Sequence, residues 1–157
     1  MKITFFARLF VGLLSLIAST SIAAESKFIV GPALGKDPEA FAKVFAIELK
    51  KPAISDSTVG DIWFAPVAQL GQLKVRRAAK QDFAMYVAIR FTDHKVTTWQ
   101  KAFEKLGLAT EGKLPEQTKD SVSITFPTEN GKSCKANFYL KDPEGQTKDP
   151  MIEFVVK

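Results

Sequence analysis

The chain has 157 residues, of which 46% are hydrophobic and 25% are charged, with one cysteine, one histidine and a formal net charge of +5. A chain of this length is too short for two ordinary domains, and its composition is too apolar for a disordered protein. One cysteine excludes an internal disulfide, and one histidine excludes a site that needs two imidazoles from the same chain. Zinc-finger modules and His-rich metal sites are therefore excluded.

The first 24 residues have the pattern of a secretory signal peptide. Lys2 and Arg8 supply basic charge, an apolar run occupies positions 9–18, and small residues precede the first acidic residue. We expect cleavage after Ala23 or Ala24. The apolar run covers about half of the roughly 20 residues that cross a bilayer as a helix. We therefore expect an exported protein, periplasmic or secreted, without membrane insertion of the mature chain.

Cleavage at this point removes Lys2 and Arg8 and no acidic residue. The remaining 133 residues carry 20 basic and 17 acidic side chains, a net charge of +3. These charges are spread along the chain, whereas nucleic-acid-binding proteins usually show a dense basic stripe interleaved with stacking aromatics. We expect no nucleic-acid partner. Cys134 alternates with Ala136 and Phe138 on one side of a predicted strand, so we expect it to be a buried, unreactive core residue.

Residues 26–79 make up the first predicted module. A short β-prone segment at 27–31 precedes a helix that begins at Asp37, where Pro38 and Glu39 suit the first helical turn. Apolar residues with helical spacing follow, and Pro52 ends the helix. Three short strands are predicted after it, at 53–57, 61–67 and 72–79.

Residues 82–157 make up the second predicted module. The strand at 82–91 has the clearest alternation in the chain, with Tyr86, Ala88 and Arg90 on one side and larger apolar residues on the other. A helix at 95–106 follows and ends before Gly107. Three further strands are predicted, at 121–126, 134–140 and 151–156.

Both modules have the order strand, helix and three strands. One helix does not cover both faces of a four-stranded sheet, so two such units could turn their free faces toward each other and enclose a cleft. An ordinary α+β sandwich, in which the repeated order is a coincidence, is the alternative.

Several segments of the second module resemble the vicinal oxygen chelate superfamily, which includes glyoxalase I, bleomycin-resistance proteins and extradiol dioxygenases. They are YVAIRFTD at 86–93, KLG at 105–107, and FYLKDPEG at 138–145 before IEFV at 152–155. The resemblance implies an α+β fold in which tandem βαβββ modules form a U-shaped mixed sheet around a cleft, with the helices on the outer face. Residues 25–157 would then form a single glyoxalase-like domain.

The resemblance also implies where a divalent metal would bind. The family takes its ligands from the first and last strands of each module, and the matching positions here are Val30, Lys74, Tyr86 and Glu153. Only Glu153 is a good ligand, because Val30 has no donor, Tyr86 would be an unusual ligand and the Lys74 ammonium repels cations. We therefore predict no metal and no other cofactor, with a divalent metal as the alternative.

A cleft without its metal would still offer polar groups to a ligand. We predict that Tyr86 and Arg90 orient it beside the small side chain of Ala88, and that Lys74 and Arg76 line the opposite wall. Lys74 and Glu153 would pair with each other or bind opposite ends of the ligand. The alternative is that the basic side chains lie on solvated sheet surface.

Trp63 is the sixth candidate ligand-binding residue. It alternates with Ile62 and Phe64 and could stack on a planar ligand, or it could pack between the modules. No residue is assigned a catalytic role.

Three functions are compatible with these residues. The first is an exported, metal-free protein that binds a small molecule in the cleft, as a monomer or a homodimer. The second is a metal-dependent lyase, isomerase or dioxygenase of the same superfamily, and the third is a periplasmic protein-interaction module of the inhibitor or immunity type. Catalysis is the less favoured reading, because the sequence has no phosphate loop and no nucleophile elbow. A Cys–His pair would need Cys134 beside His94, but we expect Cys134 in the core and His94 at the start of a helix.

Elemental analysis of the native protein tests the prediction of a metal-free site. Because Glu153 is the only good ligand among the four family positions, we expect zinc, iron and manganese to be far below one equivalent per chain. Stoichiometric metal that is lost in Glu153→Gln would contradict the prediction.

Overall fold

The protein is described by a computed structural model that covers residues 28–143, 145 and 147–157, so the expected signal peptide lies outside the described residues. These residues form one eight-stranded antiparallel sheet with the order β1-β2-β3-β4-β8-β7-β6-β5. The strands are β1 (Ile54–Asp56), β2 (Gly60–Val67), β3 (Gly71–Arg77), β4 (Tyr86–Phe91), β5 (Glu116–Gln117), β6 (Ser121–Pro127), β7 (Ser133–Tyr139) and β8 (Met151–Val156). The helices are a 3₁₀ turn (Gly31–Ala33), α1 (Pro38–Val44) and α2 (Trp99–Lys105).

The sheet consists of two meanders that meet at its centre. Strands β1 to β4 form the first meander, and β5 to β8 form the second. Helix α2 carries the chain from β4 to the far edge of the sheet, and the second meander then returns until β8 pairs with β4. The central strands β3, β4, β8 and β7 are thus paired on both sides.

The prediction of an α+β fold, with tandem βαβββ modules forming a U-shaped mixed sheet around a cleft, is wrong. The structure is predominantly β, and every strand pairing in its single sheet is antiparallel. The segment expected to be the first strand forms no strand in its described part. Val30 has helical backbone angles, Pro32 lies in the 3₁₀ turn that follows, and the Val30 N–H donates to the carbonyl of Leu106 at the end of α2.

The two helices form where the sequence predicts, but both are shorter. Asp37 caps α1 by accepting a hydrogen bond from the backbone N–H of Ala40, as its position before Pro38 indicates. Helix α2 begins after Thr98, which caps it by accepting from the N–H of Lys101 at 3.3 Å. The described helices do not include one long and apolar enough to cross a membrane.

Both helices pack on the same face of the sheet and cover the hydrophobic core. Phe41 from α1, Phe45 directly after it, and Phe103 from α2 are buried in one cluster with alternate residues of the strands. One row of this face runs from Trp63 through Val75, Val87, Phe154 and Ala136 to Ile124. Cys134 lies on this face and is fully buried, which confirms the prediction that it is a core residue.

The other side of the sheet, which we call the open face, carries the alternate residues. Its middle row runs from Phe64 through Lys74, Ala88, Glu153 and Asn137 to Ser123. The described helices all pack against the opposite face. The open face is therefore the surface on which the central strands present polar side chains to solvent.

The outermost strands are short and leave part of each neighbouring strand uncovered. Strand β1 pairs with only three residues of β2, and β5 pairs with two residues of β6. In an antiparallel strand the backbone groups of alternate residues point to the same side. The carbonyl of Ile62 accepts a hydrogen bond from the β1 side of β2, and the carbonyl of Ser121 accepts one from the β5 side of β6. Pro66 and Pro127 share this outward direction and lack an N–H.

Gly71→Ala should destabilise the fold strongly. Gly71 begins β3 with φ of 148°, and a Cβ there would overlap the carbonyl oxygen of Arg90 on β4. We expect a loss of about 2 kcal/mol or more in the free energy of unfolding, measured by urea denaturation. Gly31→Ala is the matched control, because a Cβ at Gly31 meets no atom within 4 Å. Equal stability of the two variants would contradict the described β3–β4 contact.

Candidate functional site

Five of the six predicted ligand-binding residues lie together on the open face. Lys74, Ala88 and Glu153 are partners across three neighbouring strands, so Lys74 and Glu153 flank the small alanine. Arg76 and Tyr86 are partners in the next open-face row on one side of Lys74 and Ala88. Arg90 and its partner Gln72 form the next open-face row on the other side. The register of β3, β4 and β8 therefore gathers residues that are far apart in sequence.

Trp63, the sixth residue, lies on the helix-covered face. Its partner on β3 is Val75, whose side chain is fully buried in the core. The indole packs partly against that core, and the guanidinium of Arg77 lies 5.4 Å from its ring centre. The structure thus separates Trp63 from the other five candidates by the thickness of the sheet.

Two tyrosines hold the carboxylate of Glu153. The Tyr86 hydroxyl donates to Oε1 at 2.7 Å, and the Tyr139 hydroxyl donates to Oε2 at 3.3 Å. Burial raises the pKa of the Tyr139 phenol, and the negative charge of Glu153 beside it acts in the same direction. Sequence analysis did not select Tyr139, although its alternation with Phe138 on β7 could have placed it on the polar face.

An ion pair with Asp142 holds Arg90 on the open face. The Arg90 Nη2 atom lies 2.7 Å from Oδ2 of Asp142, whose side chain is completely buried. In the sequence Asp142 is only part of the segment FYLKDPEG, and the structure shows that its carboxylate anchors a charged group of the open face. Removal of one partner of a buried ion pair leaves the other charge uncompensated, so the contact constrains both groups.

The ammonium group of Lys74 lies near two aromatic rings. It is 5.6 Å from the ring centre of Tyr86 and 5.9 Å from that of Phe64. Both distances are within the range in which a cation is attracted to the face of a ring. Because Tyr86 is in turn bonded to Glu153, the position of Lys74 is linked to the carboxylate two strands away.

These side chains surround a shallow depression of about 160 Å³ on the open face. Ala88 and Met151, both buried, contribute its apolar surface. The remaining open-face side chains around it are polar or aromatic, namely Phe64, Gln72, Lys74, Tyr86 and Arg90. Glu153 is not part of this lining but lies beside it, bonded to Tyr86.

The four positions at which the resemblance implies metal ligands do not come together. Tyr86, Lys74 and Glu153 are on the open face, whereas Val30 is buried in the core on the other side of the sheet. Among the residues that the structure describes, no group of three His, Cys, Asp or Glu side chains could hold a metal ion. These donors therefore do not fit the metal centre of that superfamily.

Comparisons with protein-family models, with curated proteins and with solved structures found no match. The role of the open face is therefore inferred from the side chains of this chain alone. The fold differs from the one that the resemblance implies, so that resemblance adds no support to an assignment of the site.

Removal of the Glu153 charge should lower the pKa of Tyr139. The chain has two tyrosines, so Tyr139 is the only one that titrates in Tyr86→Phe. In the double variant Tyr86→Phe, Glu153→Gln, we expect its pKa to fall but to stay above the usual value of a tyrosine, because burial is the larger cause of the shift. Ultraviolet titration of the phenolate measures it, and Glu116→Gln, at the edge of the same face, is the control.

The raised pKa also fixes the sign of a stability effect. The contribution of Tyr139 is complete below the ordinary pKa of 10.0, because the phenol is then neutral in both the folded and the unfolded chain. It is lost as the pH rises through the raised value, since the unfolded chain releases the proton first.

An unchanged Tyr139 titration in the double variant would contradict the contact with Glu153.

Proposed function

We propose that the chain is an exported binding protein that holds a small molecule in the depression over Ala88 on the open face. The observation that carries this proposal is the combination of an apolar floor with several polar side chains that converge on a space of about 160 Å³. Binding sites for small molecules are typically apolar concavities with a few well-placed polar groups. Export, to the periplasm or beyond the cell, rests on the signal-like pattern of residues 1–24.

The polar groups at this depression are held in place before a ligand arrives. Arg90 is anchored by the buried carboxylate of Asp142, and Tyr86 is anchored by Glu153. Three of the strands involved, β3, β4 and β8, are paired on both sides along the site. A site of this kind loses little conformational freedom on binding, which favours affinity for a small ligand.

Binding fits the described groups better than catalysis does. The thiol of Cys134 lies on the opposite face, and burial raises its pKa to about 12, which keeps it in the unreactive thiol form. Glu153 accepts hydrogen bonds from both tyrosine hydroxyls, so its oxygens are engaged. We therefore assign these side chains to orienting a ligand.

A protein-interaction module is the second candidate, and one observation favours it. Ile54 and Phe64 are 48% and 58% exposed, and both share the open face with Ile62, the partner of Ile54 on β2. Exposed apolar side chains that adjoin one another are typical of protein-binding surfaces. This strip lies beside the depression, at the β1–β2 edge of the sheet.

Ligand retention by variants that fill the depression tests the proposal. Ala88→Leu adds a branched side chain to the floor, whereas Thr125→Leu adds the same side chain to an exposed site of the open face on β6. We expect protein purified from the periplasm to carry a small-molecule mass in native mass spectrometry, and Ala88→Leu to lose it. Thr125→Leu should retain it.

Circular dichroism shows whether Ala88→Leu is folded. Phe64→Ala, which removes an exposed wall of the depression, gives a second measurement of ligand retention. Equal retention by the parent protein and both depression variants would contradict the proposal. A captured protein partner that is lost in Ile54→Ser but kept in Ala88→Leu would favour the interaction module.

A further inference from the structure

We propose that the ligand of the depression is a monoanion with a single aromatic ring, of the class of the aromatic monocarboxylates. This inference rests on the proposed function and specifies the chemistry that the same site recognises. Three properties of the depression carry it: its size, the surfaces that line it and its charge.

The size admits one ring. The depression measures about 160 Å³, whereas sites for drug-sized ligands are about 300–1,000 Å³. An apolar cavity of about 150 Å³ is sufficient to hold one benzene molecule. A nucleotide, a bicyclic cofactor or a long acyl chain would extend far beyond these walls.

The lining suits a flat, apolar body. Ala88 and Met151 are buried and form an apolar base, and the absence of a long side chain at position 88 is what leaves the space. The rings of Phe64 and Tyr86 both have their centres within about 6 Å of the Lys74 ammonium. Aromatic rings favour offset or edge-to-face contacts with another ring, so these walls prefer a ring to a polar aliphatic group.

The charged side chains of the lining favour an anionic ligand. The lining contains two cationic side chains, Lys74 and Arg90, and none of its residues is acidic. Arg76 adds a third cation from the neighbouring row, whereas Glu153 lies beside the depression and Asp142 lies behind Arg90. An anion at this place meets both cations of the lining and no acidic lining residue, and the small volume leaves room for one charged group beside the ring.

The position of Lys74 gives the ligand its direction. Its ammonium is held at the Phe64–Tyr86 side of the depression, and the amide of Gln72 lies on the same strand two residues earlier. A carboxylate directed toward Lys74 leaves the ring over Ala88 and Met151. An ammonium is a compact point charge with three donors, which suits one carboxylate group.

Titration of the full processed chain with benzoate and benzamide tests this inference. The two probes have nearly the same shape and differ in charge, so we expect benzoate to bind about tenfold more tightly, as measured by shifts of the backbone amide signals in NMR spectra. Cyclohexanecarboxylate, which keeps the charge but loses the flat ring, should bind more weakly than benzoate. Added salt should weaken benzoate binding and leave benzamide binding unchanged.

Lys74→Met should abolish the preference for benzoate, because it keeps an unbranched apolar stem and removes the charge. Lys135→Met is the matched control, since Lys135 lies on the same face but pairs with Glu116 near the far edge. Lys74→Arg, which restores a cation, should recover most of the preference. Thermal denaturation of each variant separates a loss of binding from a loss of fold.

Equal affinities for benzoate and benzamide, or equal effects of Lys74→Met and Lys135→Met, would overturn the inference. If no probe binds while Ala88→Leu still loses a natural ligand, the ligand class is wrong and the proposed function stands. If no probe binds and the parent protein retains no ligand, both proposals fail.

Discussion

The pairing of β4 with β8 is the contact on which the rest of the structure depends. It joins the two meanders through five residue pairs, from Tyr86–Val155 to Arg90–Met151, across a separation of more than 60 positions in the sequence. A contact between such distant segments closes a long loop and carries an entropic cost. Burial on the helix-covered face compensates for that cost, because the pairs Val87–Phe154 and Ile89–Ile152 belong to the hydrophobic core.

The same register decides what the open face can do. It sets Ala88 beside Glu153. The space above the small alanine side chain therefore adjoins a carboxylate that accepts hydrogen bonds from Tyr86 and Tyr139. Most of the site stands on strands that are paired on both sides. Phe64 differs, because β2 at this point pairs with β3 alone. Segments with fewer partners open more readily, so the Phe64 wall is the part of the candidate site that we expect to move most easily.

Much of the site could be predicted from sequence because alternation along a strand is a local property. The prediction that Tyr86, Ala88 and Arg90 share a face needed no tertiary information, and the structure places them so. Which residues stand opposite them depends on long-range pairing, which one sequence does not determine. Trp63 illustrates this, since its face follows from its pairing with Val75. The predicted order of strands and helices was compatible both with tandem βαβββ modules and with the single antiparallel sheet that the structure shows. The helical backbone angles of Val30 exclude the first strand of the βαβββ arrangement.

The two prolines on the strands next to the sheet edges have a consequence for the protein before and after it folds. An uncovered strand edge is a template on which another chain can add its own strand, the first step toward aggregates. Pro66 and Pro127 interrupt the outward row of donors on β2 and β6, the two places where the outer strands are too short to cover their neighbours. The prolines therefore restrict the addition of further strands at both ends of the sheet.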